Sequence, residues 1–187
     1  MGLYEWLSLF EEVYLLSERL TIEQIRNINP AIVISYNYNY IITPDIIEYM
    51  NGKIINMHIS YLPYNRGASP NVWSFIDDTP KGITIHQVST GLDKGNIIYQ
   101  KEYFFNTEKE TFASTYEKLN IAIVELFKEH WQEIKTGAYQ LKEQVEKGTY
   151  HSQKDLIQLQ KDIPFEWTDN IAEFLKRYHS ISKRKCE

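Results

Sequence analysis

Short, unbroken apolar runs alternate with amphipathic stretches along the first two thirds of the chain. Ala31-Ile32-Val33-Ile34-Ser35 and Ile54-Ile55-Asn56-Met57-His58 have the continuous, β-branched apolar content of buried strands. Ile22 to Ile28 suits a helix ended by the Asn29-Pro30 breaker. Pro44, favoured in a first helical turn, opens another that carries Ile46, Ile47 and Met50 as far as Asn51-Gly52. Pro70 to Ile76 reads as a helix, Gly82 to Val88 as an alternating strand, and Ile97-Ile98-Tyr99-Gln100 as the start of another. Leu3, Tyr4, Leu7 and Phe10 are spaced like a helix face. Val13-Tyr14-Leu15-Leu16 reads as a short buried strand, expected at a sheet edge or paired with Ala31 to Ser35. Strand and helix in alternation predict an α/β fold whose sheet is mostly parallel and joined by crossovers.

Farther along, Thr107-x-x-Glu110 has the form of a capping box. Phe112, Tyr116, Leu119, Ile123, Leu126 and Trp131 follow at helical spacing, which predicts one long amphipathic helix ending at Gly137. Beyond Ala138 the periodicity weakens. Gly148 to His151 reads as a loop or edge strand, and Trp167-Thr168-Asp169 precedes a last helix carrying Ile171, Phe174, Leu175 and Tyr178. The organisation expected is a core over residues 1–137 and a helical C-terminal extension over 138–187 packed on it.

Composition narrows the function classes. The 187 residues are 43% hydrophobic and 24% charged, which argues against disorder. A net charge of -5 offers no electrostatic footprint for nucleic acid, and the basic end Lys183-Arg184-Lys185 reads as solvated. No apolar run approaches the ~20 residues of a membrane span, and no signal peptide is visible. The one cysteine, Cys186, excludes an intrachain disulfide and suits a reducing, cytoplasmic compartment.

Chemistry concentrates between Asn56 and Asp93. Residues two apart on a strand share a face, so Asn56 and His58 point the same way. An amide and an imidazole side by side can donate to a developing oxyanion. Asp93 sits in a turn flanked by Gly91 and Gly95, where its carboxylate could keep His58 charged and, through water, accept a proton from an attacking amine. The combination is equipment for acyl transfer to an amine. His86 reads as a group orienting Asp93, with Ser60 as a second supporting residue. A metal site is disfavoured, because the three groups lack the close spacing of metal ligands.

The motifs Asn56-x-His58-x-Ser60-x-Leu62-Pro63, Arg66-Gly67, Gly82-x-Thr84-x-His86 and Leu92-Asp93-x-Gly95 resemble the formyltransferases that use N10-formyltetrahydrofolate, from about Pro30 to Tyr103. The resemblance is nearest to the nucleotide-sugar N-formyltransferases. It implies a Rossmann-like core, N10-formyltetrahydrofolate as co-substrate, and Asn56, His58 and Asp93 as the catalytic set. It also places the pterin against Tyr38, Tyr40, Ile41 and Ile42 and against Thr90, Gly91 and Leu92. Taken by composition, Tyr36 to Tyr40 would read only as an amphipathic strand. Ile59 and Tyr61 stand where the family carries Pro and Leu.

Against the family pattern the chain opens within the first helix, so a first, central strand is expected to be absent and the sheet gapped, repaired or covered by a partner chain. The acceptor implied is a small-molecule primary amine on a nucleotide-linked amino sugar, with no nucleic acid or membrane partner; a homodimer stays open. The alternatives are glycinamide ribonucleotide as acceptor, water as acceptor in a formyltetrahydrofolate hydrolase, or an inactive folate-binding or oligomerising domain.

Overall fold

In the computed structural model, which describes residues 2–145 and 147–184, the apolar runs form a four-stranded sheet. Its order is β1 (Val33–Tyr36), β2 (Ile54–His58), β4 (Lys81–Gln87) and β5 (Ile97–Tyr103); a short β3 (Arg66–Gly67) lies apart and pairs in parallel with β6 (Tyr150–His151). The helices are α1 (Leu3–Leu7), α2 (Ile22–Ile28), α3 (Pro44–Met50), α4 (Pro70–Ile76), α5 (Phe112–Glu129), α6 (Trp131–Thr136), α7 (Gln153–Asp162) and α8 (Ile171–Arg184). No helix among the described residues is long and apolar enough to cross a membrane. Lys185 and Cys186 lie outside the described residues.

The α/β architecture and the helical C-terminal stretch follow the expectation, but the sheet is mixed rather than mostly parallel. Only β1 and β2 run parallel, while β2–β4 and β4–β5 are antiparallel. The long connection from β2 through β3 and α4 resembles a crossover in sequence. It returns the chain in the opposite direction.

Alternation along β2 divides the core. Ile55 and Met57 face one side, where Ile83, Ile85 and Ile98 pack under Leu119, Ile123 and Phe127 of α5 and Trp131 of α6. Ile54 faces the other, against Ile25 of α2, Ile46 and Met50 of α3, and Ile42. A third apolar cluster ties the C-terminal segment down: Val72, Trp73 and Phe75 of α4 and Phe112 of α5 pack with Leu156 and Leu159 of α7 and Ile171 and Phe174 of α8. Phe112 and Phe174 are fully buried, and truncating a buried phenylalanine typically costs about 3–5 kcal/mol.

Several elements depart from the pattern-based reading. Val13 to Leu16 form no strand; Tyr14 and Leu15 are exposed, and the segment borders an apolar groove of about 610 Å³ beside β1, shared with Leu3, Leu7, Ile32 and Ile34. A four-residue apolar run specifies no hydrogen-bond partner, and periodicity alone does not make a ladder. β1 is accordingly a half-buried edge strand. The long helix breaks at His130 (φ -107°, ψ 15°), whose ring stacks on Tyr99 with centroids 3.7 Å apart. Its cap is Thr111, exchanging hydrogen bonds with Ser114, rather than Thr107. α7 is capped by Ser152 and Asp155, a Ser-x-x-Asp signal within the stretch of weak periodicity.

Candidate active site

Sheet register assembles the polar cluster. Asn56 lies directly opposite His86, and His58 opposite Thr84, so Asn56, His58 and His86 share one face across the β2–β4 pair. The loop after β4 brings Asp93 back over that face. Its Oδ1 lies 3.4 Å from Asn56 Nδ2 and 3.6 Å from His86 Nε2, and its Oδ2 lies 3.9 Å from His58 Nε2. Asn56, His58, His86 and Asp93 all line one cleft of about 990 Å³.

The backbone is shaped for this convergence. Asp93 has a φ of +51°, a left-handed conformation that Asp tolerates better than most side chains. Gly67, at φ +90°, donates its N–H to Asp93 Oδ2 at 2.9 Å; a Cβ there would meet the His151 carbonyl at 2.3 Å. A Cβ on Gly95 would lie 1.7 Å from the Gln87 carbonyl, so the turn returns this closely only with glycine.

Hydrogen-bond partners assign the protons. His86 Nδ1 sits 2.8 Å from the Gln87 carbonyl, which can only accept, so Nδ1 carries a proton, while Nε2 lies 3.2 Å from Asn56 Nδ2. His58 Nε2 faces two acceptors, the Asn65 carbonyl at 3.3 Å and Asp93, and therefore donates. His86 thus orients Asn56 as well as lying beside Asp93. Ser60 is buried, but its hydroxyl has no hydrogen-bond partner among the described residues; only its carbonyl is engaged, by Thr84 Oγ1 at 2.7 Å.

Charge follows burial. Burial penalises the imidazolium of His58 more than the Asp93 carboxylate and the Asn65 carbonyl favour it, and His86 adds repulsion, so the pKa of His58 falls below its ordinary value. The expectation of a charged His58 is therefore corrected to a neutral ring. Asp93 is also penalised by burial, yet His58, His86 and the Gly67 amide outweigh this and hold the carboxyl far below the usual carboxylate range. An ionised Asp93 therefore sits beside a His58 ring that burial keeps neutral.

These directions fix a pH dependence. The unfolded chain takes up the His58 proton near pH 6.5, while the folded chain resists it, so unfolding becomes easier as pH falls through that region. Asp93 contributes stability that is complete above about pH 4 and is lost at lower pH. His58→Asn is expected to flatten the loss of melting temperature between pH 7.5 and 5. An unchanged slope in thermal melts would assign the effect elsewhere.

The residues expected to hold the pterin line the same cleft: Tyr38, Tyr40, Ile41 and Ile42 after β1, and Thr90, Gly91 and Leu92 after β4. Ile41 is 75% exposed and Leu92 46%, leaving apolar side chains uncovered at the cleft mouth. Such a slot, beside the polar cluster, fits a flat heterocycle. Further lining comes from residues to which the sequence reading gives no role at the site: Tyr116 of α5, Tyr150 of β6, and Trp167 before α8. Trp167 meets Tyr116 edge-on at 5.6 Å, and its carbonyl accepts the Ala113 N–H at 2.7 Å. Helical spacing places Tyr116 on α5, but nothing in the sequence brings Tyr150 or Trp167 to it.

Comparison with known proteins gives the family. A family described as Formyl transferase matches residues 12–129. The chain is 32% identical over 130 residues to dTDP-4-amino-4,6-dideoxyglucose formyltransferase of Mycobacterium tuberculosis, covering 70% of this chain and 55% of that one. It is 33% identical over 133 residues to methionyl-tRNA formyltransferase of Thermodesulfovibrio yellowstonii, covering 71% and 43%. The chain thus spans about half the length of the curated relatives it matches. Among solved structures, the formyltransferase PseJ from Anoxybacillus kamchatkensis, in complex with UDP-4,6-dideoxy-4-formamido-L-AltNAc and tetrahydrofolate, aligns with a TM-score of 0.84 and 40% identity. That alignment covers 91% of this chain and 89% of PseJ.

Proposed function

Because the chain belongs to the formyl transferase family, we propose that it moves a formyl group from N10-formyltetrahydrofolate to a primary amine on a nucleotide-linked amino sugar. The observation that carries this reading is the convergence of Asn56, His58 and Asp93 in a cleft that also holds the uncovered apolar loops after β1 and β4. PseJ, described with a UDP-linked formamido sugar and tetrahydrofolate, supports the choice of co-substrate and acceptor. A net charge of -5 gives little footing for an acceptor the size of a tRNA.

The folate supplies a formyl carbon bonded to nitrogen; the new bond joins that carbon to the acceptor amine, and the bond to the folate nitrogen breaks. Asn56 Nδ2 and His58 Nε2 donate to the formyl oxygen as charge builds on it. Their present partners at 3.2–3.4 Å are held loosely enough to be exchanged for a charged oxygen. Asp93 receives, through a water, the proton that the amine loses, and its return to the departing folate nitrogen closes the proton balance. A neutral His58 suits this scheme, since it donates a hydrogen bond without forming a stable pair that would quench the Asp93 base.

We place the acceptor at the aromatic end of the cleft formed by Tyr116, Tyr150 and Trp167, from residues on α5, β6 and the 138–187 extension. A nucleobase stacked on Trp167 gains about 1–3 kcal/mol. Trp167→Ala is therefore expected to raise the KM for the nucleotide sugar about tenfold while leaving that for the folate within about threefold. Equal effects on both would remove Trp167 from the acceptor site. Following tetrahydrofolate release with and without an amino sugar tests the reading as a whole: release that depends on the amine supports transfer, and release in its absence points to hydrolysis.

A further inference from the structure

The Asp93 turn is not held by its own residues alone. Gln144, in the segment between α6 and β6, donates from Nε2 to the Asp93 carbonyl at 2.8 Å and to the Gly95 carbonyl at 2.7 Å. Its Oε1 accepts from Arg66 Nε at 3.1 Å and Arg66 Nη2 at 2.7 Å. Every donor of this amide is thereby used, and a guanidinium fixes the orientation of the group, since only the oxygen can face it.

The segment that carries Gln144 is itself anchored on both sides. Lys142 exchanges backbone hydrogen bonds with Ile97 at the start of β5, at 2.8 and 2.9 Å. Downstream, the Thr149 carbonyl accepts from the Arg66 N–H at 3.0 Å, and Thr149 Oγ1 accepts from the Asn65 N–H at 2.8 Å. Asn65 is the residue whose carbonyl faces His58 Nε2, and the residue after Arg66 is Gly67, which donates to Asp93. One stretch of chain therefore grips both the turn bearing the carboxylate and the loop against the imidazole. It lies beyond residues 12–129, where the family match ends.

We propose that Gln144 is a positioning residue, and that the segment around it is a strap setting the Asp93 carboxylate against Asn56 and His58. Gln144 is not among the residues that line the cleft and acts through the backbone of Asp93 and Gly95. The turn gains from such an external tie because Asp93 stands at φ +51° and the hydrogen bond from Ser89 Oγ reaches only the Gly91 carbonyl, upstream of Asp93. A shift of about 1 Å in a reacting group can cost around a hundredfold in rate, so the strap is expected to appear in kcat.

Two variants of the full chain separate positioning from filling. Gln144→Leu keeps the bulk and removes all four hydrogen bonds, whereas Gln144→Glu keeps the acceptor for Arg66 but sets a carboxylate against two carbonyls. Both are expected to lower kcat about tenfold to a hundredfold with the folate KM within about threefold, and to move the acidic limb of the kcat–pH profile upward. Hydrogen exchange of the peptide spanning residues 91–96 should quicken at least about tenfold in both, since the Asp93 and Gly95 carbonyls lose the donor that ties the turn down. A lower melting temperature with unchanged kcat, pH profile and exchange would make Gln144 mere filler and overturn the proposal; so would faster exchange with unchanged kcat. The kinetic arm rests on the formyl-transfer reading, and the exchange arm does not. An inactive wild type would therefore sink that reading, while exchange alone, unchanged, would sink the strap.

Discussion

Replacing Asn56 with alanine is expected to lower turnover about a hundredfold or more, equivalent to roughly 2.7 kcal/mol, with folate affinity kept within a few-fold. Asn56 is the donor that His86 and Asp93 together orient: Nδ2 lies 3.2 Å from His86 Nε2 and 3.4 Å from Asp93 Oδ1. Both distances exceed the usual 2.9–3.0 Å for such bonds, which leaves the amide free to turn toward a charged oxygen. Alanine removes the donor without filling its place. His86 keeps the Gln87 carbonyl and Asp93 keeps the Gly67 N–H when the amide is gone, so the fold should survive. Single-turnover kinetics beside folate titration would check this. A parallel loss of folate binding would make Asn56 structural.

Asp93→Asn is expected to have the largest effect of any conservative change, about a hundredfold to ten-thousandfold in kcat, because it deletes the proposed proton acceptor while keeping its shape. Asparagine tolerates the left-handed φ of +51°, and its oxygen can still accept the Gly67 N–H. The variant also lacks a buried charge, so its stability should no longer fall in the region where the Asp93 carboxyl titrates. Activity lost with the fold and folate binding intact is the expected signature. Activity kept within about threefold would exclude Asp93 as the base.

How much of this could be read from the chain differs by element. The β2 pattern put Asn56 and His58 on one face because a strand's period of two is local, and the glycine-flanked turn around Asp93 is equally local. The three groups do meet, within about the reach of one water. What escaped depends on where the chain goes between elements. The antiparallel return of β4 is decided by the path through β3 and α4, not by the pattern of either strand. Val13 to Leu16 has the apolar content of a strand but joins no ladder, although β1 beside it is an edge strand. Gln144 and Trp167 belong to no periodic pattern, and only folding brings them to the site. The charge state of His58 escaped for a different reason. A nearby carboxylate can be anticipated from sequence, whereas the burial that outweighs it is a property of the finished structure.

The central claim is that this cleft transfers a formyl group to an amine, and mass spectrometry of the acceptor tests it most directly. The chain would be mixed with N10-formyltetrahydrofolate carrying a ¹³C-labelled formyl group and with a panel of UDP- and dTDP-linked amino sugars, Asp93→Asn serving as control. The account predicts labelled formamide on at least one amino sugar with the wild-type chain and about a hundredfold less with Asp93→Asn. Label released as formate at the same rate with every sugar and with none, or labelled product formed equally by Asp93→Asn, would contradict it.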